Sequence, residues 1–417
     1  MFIKTAPKGM RDILPKEKQI REQILEIIKK TYKSYGFAEI ETPCVESIEN
    51  LTSNQGGENE KLIFKVLKRG DKLASAENGE LCDLGLRFDL TVPLVRYYAN
   101  NIGNLPNIFK SIQIGNVWRA ERPQKGRYRQ FMQCDIDIIG DATNFAEIEL
   151  ITVMCETLKN IGISDFFIKI NDRRILKGLA LNSGINEKKL GSAVIALDKL
   201  DKIGQEAVIK ELECEGFSSA EAKNFIENAV GIEKSQDPLK KVLQLTQNTV
   251  EPSVITNLSQ IILAVQKLCG CKIVFDCTLA RGMGYYTGPI FEVVSPGFGS
   301  SVGGGGRYDN MLESFLGKAV PACGFSIGFE RITAVLTGNN VSIGKSERKV
   351  AFLVDSDVSV EDYISIQNSA QEIRAKGGIC AIMKKMKNFS FQIAQLKEED
   401  YAEVYKIEKN GTRVKVG

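Results

Sequence analysis

Apolar positions recur at helical spacing over residues 16–35, KEKQIREQILEIIKKTYKSY, where Ile20, Ile24, Ile27, Ile28 and Tyr32 fall on one face. Gly36 then ends the predicted helix. The following AEIETPCVE alternates like a strand and stops near Pro43. A second amphipathic helix is predicted over 145–162, closed by Gly162, with the strand FFIKI at 166–170 behind it. From about 172 to 268 aromatic residues thin out and short helical patterns such as SAVIALDKLDKIG dominate, which predicts an inserted helical module. Strand patterns return in IVFD (273–276) and GPIFEVVS (288–295), before the helix-like CGFSIGFERITAVL (323–336). The polar GNNVSIGKSERK reads as a linker over 338–349. Beyond it, VAFLV, a helix near 360–376, ICAIM, a helix near 390–399 and AEVYKI predict a small α/β domain over 350–417.

The clearest short pattern is a hairpin. IFKSIQIGNVWRAE reads as one strand, RPQKGRY as its turn and RQFMQCDIDIIG as the return. Alternation puts Gln133, Asp135 and Asp137 on one face of the return strand and Cys134, Ile136 and Ile138 on the other. Burying the isoleucines aims the polar three into a common cleft. The stretch before them carries Arg119, Arg122, Lys125, Arg127 and Arg129. Guanidinium groups are planar, permanently charged donors suited to phosphate. Arg119 sits beside apolar Val117 and Trp118, where a charge needs a partner or a ligand, and Glu121 is one candidate partner. Arg127 and Arg129, flanking the Gly126 turn, are expected to fold over a phosphate tail. The pattern implies phosphates on one side and a cationic or hydrogen-bond-donating group on the other.

Composition narrows the chemistry. The chain has 417 residues, net charge +3 and a hydrophobic share of 43%, so two or three domains with real cores are expected and any polyanion contact must be local. Ten cysteines include no CxxC pair, and Cys269 and Cys271 stand closer together than in a zinc knuckle. They predict buried thiols in a reducing, cytoplasmic setting without a protein-only metal site. No leader-like or 18-residue apolar run occurs, so neither secretion nor a membrane partner is expected. There is no histidine at all, which removes the usual general base and metal ligand.

Further clusters follow. LRFDLTVPLVRYYA (86–99) holds Asp89 and Thr91 two apart, facing the same way if extended, with Pro93 blocking a central strand. FDCTLARGMGYYTGPIFEVVS (275–295) combines Arg281 with glycines and tyrosines. GSSVGGGGRYDNML (299–312) places four glycines before Arg307, Tyr308 and Asp309, but matches neither GxGxxG in a βαβ context nor a P-loop. In GFSIGFER (324–331), Arg331 opens a helix.

KGMRDILP, RFDLT, RAERPQKGRYRQFMQCDIDIIG, LARGMGYYTGPIFE, GGGGRYD and GFSIGFER, in this order, closely resemble the class II histidyl-tRNA synthetases. The likeness is strong over 7–170 and 272–337. It implies an α+β fold with an antiparallel sheet flanked by helices, a helical insertion and a small C-terminal α/β domain. The catalytic domain would comprise 1–171, holding motifs 1 and 2, and 269–337, holding the histidine-binding motif and motif 3. The insertion would be 172–268, and 350–417 a shortened anticodon-binding-like domain.

The implied roles follow residue by residue. Arg119 would hold the ATP α-phosphate and the substrate carboxylate. Arg127 and Arg331 would hold the folded-back β- and γ-phosphates. Glu121 would lie near adenine or the Mg2+ that arrives with ATP. Arg281 would stabilise charge at the α-phosphorus in place of a metal. Asp89, Thr91 and Gln133 would bind the α-ammonium. Asp137 and Tyr286 would read the imidazole beside Tyr285, and Tyr308 would close the pocket. Histidine, ATP, tRNA and a second copy of the chain are the implied partners, with Pro43 at the two-fold interface.

Two departures stand out. Gly284 occupies a position that is often acidic in the family, and only EKNGTRVKVG follows AEVYKI. Adenylation needs positioning and cationic stabilisation rather than a protein base, so a histidine-free chain is chemically adequate. The alternative is the histidine-sensing regulatory subunit of ATP phosphoribosyltransferase, which typically loses the Arg281-type residue and the C-terminal domain. Both are retained here.

Overall fold

The computed structural model describes residues 2–52, 59–76, 81–124, 126–246, 248–280, 284–298, 300–338, 348–355, 358–408 and 412–417. Contacts divide the chain into two compact units, residues 1–13 with 20–341 and residues 14–19 with 342–417.

The predicted helix forms over Pro15–Ser34, and its part within the larger unit buries Ile24, Ile28 and Tyr32. Arg21 is buried with them, its guanidinium on both oxygens of Glu330 at 2.7 and 2.6 Å. No spacing rule predicts that pair, because the partners lie 309 residues apart.

The extended AEIETPCVE does not form one strand. It breaks into β1 (Ala38–Glu39) and β2 (Val45–Ser47), which enter different sheets. β2 joins β3 (Lys65–Leu67) and β4 (Cys82–Leu86) in a small antiparallel sheet. Gly85 of β4 faces inward, where an added Cβ would stand 2.8 Å from atoms of both Leu51 and Ile63. Alternation turns Leu84 outward, and Val45, Leu67 and Leu84 are 39%, 57% and 40% exposed.

RFDLT is not extended either. The chain leaves β4 and starts a helix at Thr91, running to Asn101 with Pro93 in its first turn, where a missing N–H costs nothing. Asp89 accepts a hydrogen bond from the Val92 N–H at 3.1 Å and so caps that helix.

The hairpin forms as expected from β5 (Phe109–Trp118) and β6 (Gln130–Ile139), in continuous antiparallel register from Phe109↔Ile139 to Trp118↔Gln130. Behind it lies the helix Phe145–Asn160, followed by β7 (Phe167–Asp172). Between Arg173 and Cys269 the described residues are helices and turns, ending with the helix Pro252–Cys269. The chain then returns through β8 (Lys272–Phe275), β9 (Pro289–Ser295), β10 (Ser300–Arg307) and β11 (Ala322–Ile327).

The eight-stranded sheet has the order β1-β5-β6-β11-β10-β9-β7-β8, antiparallel except for its outermost pairs, β1 with β5 and β7 with β8. The glycine run 303–306, to which the pattern assigned no element, is a central strand. It lies so close to its neighbours that a Cβ on Gly305 would meet the Gly324 carbonyl at 2.1 Å. CGFSIGFERITAVL is half strand and half helix: β11 ends at Ile327 and the helix Phe329–Gly338 follows.

The smaller unit contains β12 (Lys349–Val354), β13 (Ile379–Lys384), β14 (Glu403–Ile407) and β15 (Arg413–Lys415), in the order β13-β12-β14-β15. The first three are parallel and β15 runs antiparallel along β14, one strand more than the pattern predicted. Alternate residues of β12 feed two cores. Val350, Phe352 and Val354 meet Ile366 and Ala370 of the helix Val360–Ala375, while Ala351 and Leu353 meet Leu396 of the helix Phe389–Glu398. Most of the expected linker lies outside the described residues.

Candidate active site

β6 runs through the middle of the sheet, and its alternation decides the site. Ile136 and Ile138 are buried on one face, while Gln133, Asp135 and Asp137 line a cavity of about 1080 Å³ on the other. Asp89 and Thr91, brought by the helix start, complete the same wall. Asp89, Asp135 and Asp137 are 2%, 4% and 3% exposed. Burial raises the Asp89 carboxyl to about 6, against the Val92 N–H and the Arg119 charge. It raises Asp137 to about 7 despite the Tyr308 hydroxyl. Asp135 is pushed up further, by burial and then by neighbouring Asp137. Three buried carboxyl groups thus crowd one wall of the cavity. Asp89 Oδ2 and Gln133 Oε1 are buried there without a hydrogen-bond partner. Both are acceptors, so the pocket is shaped for a ligand that donates.

Aromatic hydroxyls frame this end. Tyr308 donates to Asp137 Oδ1 at 2.6 Å, and Tyr285 to Thr91 Oγ1 at 3.3 Å. The Tyr285 ring lies 5.0 Å from that of Tyr286 and 5.8 Å from that of Tyr308, both edge-on. Gly324 on β11 is required by this packing, since a Cβ there would stand 1.9 Å from Asp137 Oδ1.

The opposite end is cationic. Arg119, Arg127 and Arg331 all line the cavity and a side recess of about 280 Å³, together with Glu121. Each is held by protein oxygen. Arg119 Nε donates to the Phe88 carbonyl at 2.9 Å, and its guanidinium lies 5.0 Å from the centre of the Phe131 ring. Arg127 pairs with Glu121 at 2.5 Å, so Glu121 is the partner of Arg127 and not of Arg119. Arg331 donates to the Ser301 carbonyl. Its helix is anchored by the preceding residue. Burial would raise Glu330, but Arg21 and Arg11 hold it below the ordinary carboxylate range.

Arg129 does not turn toward the cavity as expected. Its Nε donates to the Glu121 carbonyl at 3.0 Å and its backbone N–H to the Gly9 carbonyl at 2.7 Å, tying the hairpin turn to the N-terminal segment. Lys125 and Arg281 lie outside the described residues.

Asp135 lines the cavity as its alternation predicted, while several other cavity residues escaped the sequence reading. Ser326 accepts from Gln133 Nε2 at 3.1 Å, and its position opposite Asp135 needed the β6–β11 register. Phe131 in the side recess and Asp198, from the helical insertion, carried no signal.

One cleft on an antiparallel sheet thus gathers buried carboxyl groups at one end and three arginines at the other, an arrangement suited to holding a small hydrogen-bond-donating molecule beside a phosphate chain. Residues 9–332 match the family model described as histidyl-tRNA synthetase. A histidine--tRNA ligase of Leifsonia xyli subsp. xyli is 49% identical over 347 residues, covering 80% of each chain. A histidine--tRNA ligase of Cytophaga hutchinsonii is 38% identical over 84% of this chain and 80% of its own. Among solved structures, histidyl-tRNA synthetase from Nostoc sp. PCC 7120 aligns over 100% of this chain and 97% of its own, with a TM-score of 0.77 and 26% identity. The chain belongs to the histidyl-tRNA synthetase family.

Proposed function

We propose that this chain ligates histidine to its tRNA through a histidyl-adenylate, using ATP. The observation that carries the reading is the division of charge in one cavity, buried acceptors at one end and arginines at the other. Asp89, Thr91 and Gln133 receive the α-ammonium, whose donors answer the unpartnered oxygens. Asp137 and Tyr286 take the two imidazole nitrogens, with Asp135 buried beside them. Tyr285 and Tyr308 hold the walls.

The substrate carboxylate then faces Arg119. ATP enters from the arginine end, with Arg127 and Arg331 exchanging Glu121 and the Ser301 carbonyl for β- and γ-phosphate oxygens. Glu121, once released, is available to adenine or to Mg2+ accompanying the nucleotide. The carboxylate oxygen attacks the α-phosphorus in line and pyrophosphate leaves. Arg119 and Arg281 offset the charge that accumulates, so no protein base is needed. In the second step the tRNA ribose hydroxyl attacks the acyl carbon and AMP departs, an adenylate phosphate oxygen taking the proton. The residues supply selectivity because an analogue without the imidazole donors would leave buried acceptors unpaired.

A pyrophosphate-exchange assay against all twenty amino acids tests the reading. Exchange with histidine alone is expected, and Arg281→Ala should keep histidine binding while losing most exchange. Absence of exchange in the wild type would favour the regulatory, histidine-sensing alternative. The chain is further read as a homodimer in the cytoplasm, with the exposed Val45, Leu67 and Leu84 of the small sheet at the two-fold interface near Pro43. Sedimentation showing only monomer at micromolar concentration would count against it.

A further inference from the structure

Away from the cleft, three of the ten cysteines converge. Cys155 lies on the helix Phe145–Asn160, Cys269 ends the helix Pro252–Cys269, and Cys271 follows two residues later, just before β8. Their three sulfur atoms all lie within 4.8 Å of one another, and Cys155 Sγ is 3.5 Å from Cys271 Sγ. Cys155 and Cys269 are buried, while Cys271 is half-buried, which leaves a path from solvent. Cys269 and Cys271 alone had the wrong spacing for a zinc knuckle. The third sulfur comes from a helix 116 residues away, which only the fold supplies.

Four sulfurs at about 2.3 Å around a zinc ion would be roughly 3.8 Å apart, so the observed spacing needs only small adjustments. Oxygen is at hand for a fourth position, since Thr152 Oγ1 lies 3.7 Å from Cys269 Sγ. The Lys159 ammonium is bonded to the Cys269 carbonyl at 2.7 Å, placing a positive charge beside what would become a net anionic centre. Soft thiolate donors select Zn2+ or Cu+ over harder ions.

We infer that Cys155, Cys269 and Cys271 form a site for one thiophilic d10 cation, Zn2+ in first place, which fastens the exit of the helical insertion to the helix behind the sheet. As the ion enters, three sulfur–metal bonds form and three thiol protons pass to solvent. No electron is transferred. The bound ion ties the Pro252–Cys269 helix, at the point where the chain re-enters the sheet through β8, to the helix Phe145–Asn160.

The test uses the full chain, reduced, stripped with a chelator and titrated with Co2+ and then Zn2+. One ion per chain is expected, with thiolate-to-cobalt charge-transfer absorption that zinc abolishes. Thiol-reagent titration of the folded chain should show the half-buried Cys271 thiol protected after zinc loading. Cys271→Ser, at the half-buried position, should lower affinity at least ~100-fold, whereas Cys214→Ser, an exposed cysteine elsewhere, should not. Cys269→Ala serves as a second variant, and thermal unfolding confirms that each is folded. Zinc should also raise the unfolding midpoint of the wild type and not of Cys271→Ser. Absence of charge-transfer absorption, or equal affinity in Cys271→Ser, would each overturn the assignment. Zn2+ and Cu+ are distinguished by competing one against the other.

Discussion

The two ends of the cleft are built on opposite principles. At the arginine end every cation in the described residues has protein oxygen to rest on: Arg119 on the Phe88 carbonyl, Arg127 on Glu121, Arg331 on the Ser301 carbonyl. Those oxygens are replaceable, so a phosphate can trade places with them at little cost. At the carboxylate end part of the acceptor capacity is left unmet. Asp89, Asp135 and Asp137 are buried together, and two acceptor atoms there have no partner. In the proposed reaction the polyphosphate exchanges contacts at one end, whereas the amino acid supplies donors to acceptors left unpartnered at the other.

Removing one member of each end should therefore give different signatures. The largest effect is expected for Arg331→Ala. It should reduce pyrophosphate exchange by about 10²–10³-fold, the range for losing one preorganised charge donor, through the ATP dependence and not the histidine dependence. Steady-state exchange at varied ATP and varied histidine separates the two. An equal loss in both would erase the division of labour. Gly324→Ala should damage the other end without touching charge. Its Cβ would meet Asp137 Oδ1 at 1.9 Å, so the carboxylate or the Tyr308 ring must shift. Destabilisation of about 1–3 kcal/mol in denaturant unfolding is expected, with weakened histidine binding.

The smallest effect is a pH dependence. Asp137 has a folded-state value raised to about 7, above its unfolded value near 4. Its contribution to stability is therefore full below the unfolded value and is lost as pH rises through about 7. Without ligand, the wild type should lose stability between pH 5 and 8 relative to Asp137→Asn, by at least ~2 °C in unfolding midpoint. Saturating histidine should remove the difference. A midpoint difference that does not change with pH would mean Asp137 is not strained when ionised.

How much of this was legible in the sequence depends on where the physical signal resides. β5 and β6 could be read because ten-residue strands with one face buried impose an unbroken alternation, and that alternation already gathers Gln133, Asp135 and Asp137. The helix starting at Thr91 was missed because Pro93 ends a strand and opens a helix equally well, and the Asp89 cap is what decides. The glycine strand 303–306 has no side chains to show a period, and its reason for being glycine is the closeness of β11. Arg21 looked like an ordinary polar position on an amphipathic helix. Its burial depends on Glu330, which no local pattern connects to it. The three-cysteine cluster was illegible for the same reason, since Cys269 and Cys271 are close in sequence but Cys155 arrives only through folding.

The central claim is that the buried carboxylates, and not the arginines, hold the amino acid. It is tested most directly by calorimetric titration of histidine, without ATP, into the wild type, Arg331→Ala and Asp137→Asn. The account predicts affinity within about threefold of wild type for Arg331→Ala and at least ~100-fold weaker binding for Asp137→Asn. Wild-type affinity in Asp137→Asn, or an equal loss in both variants, would contradict it.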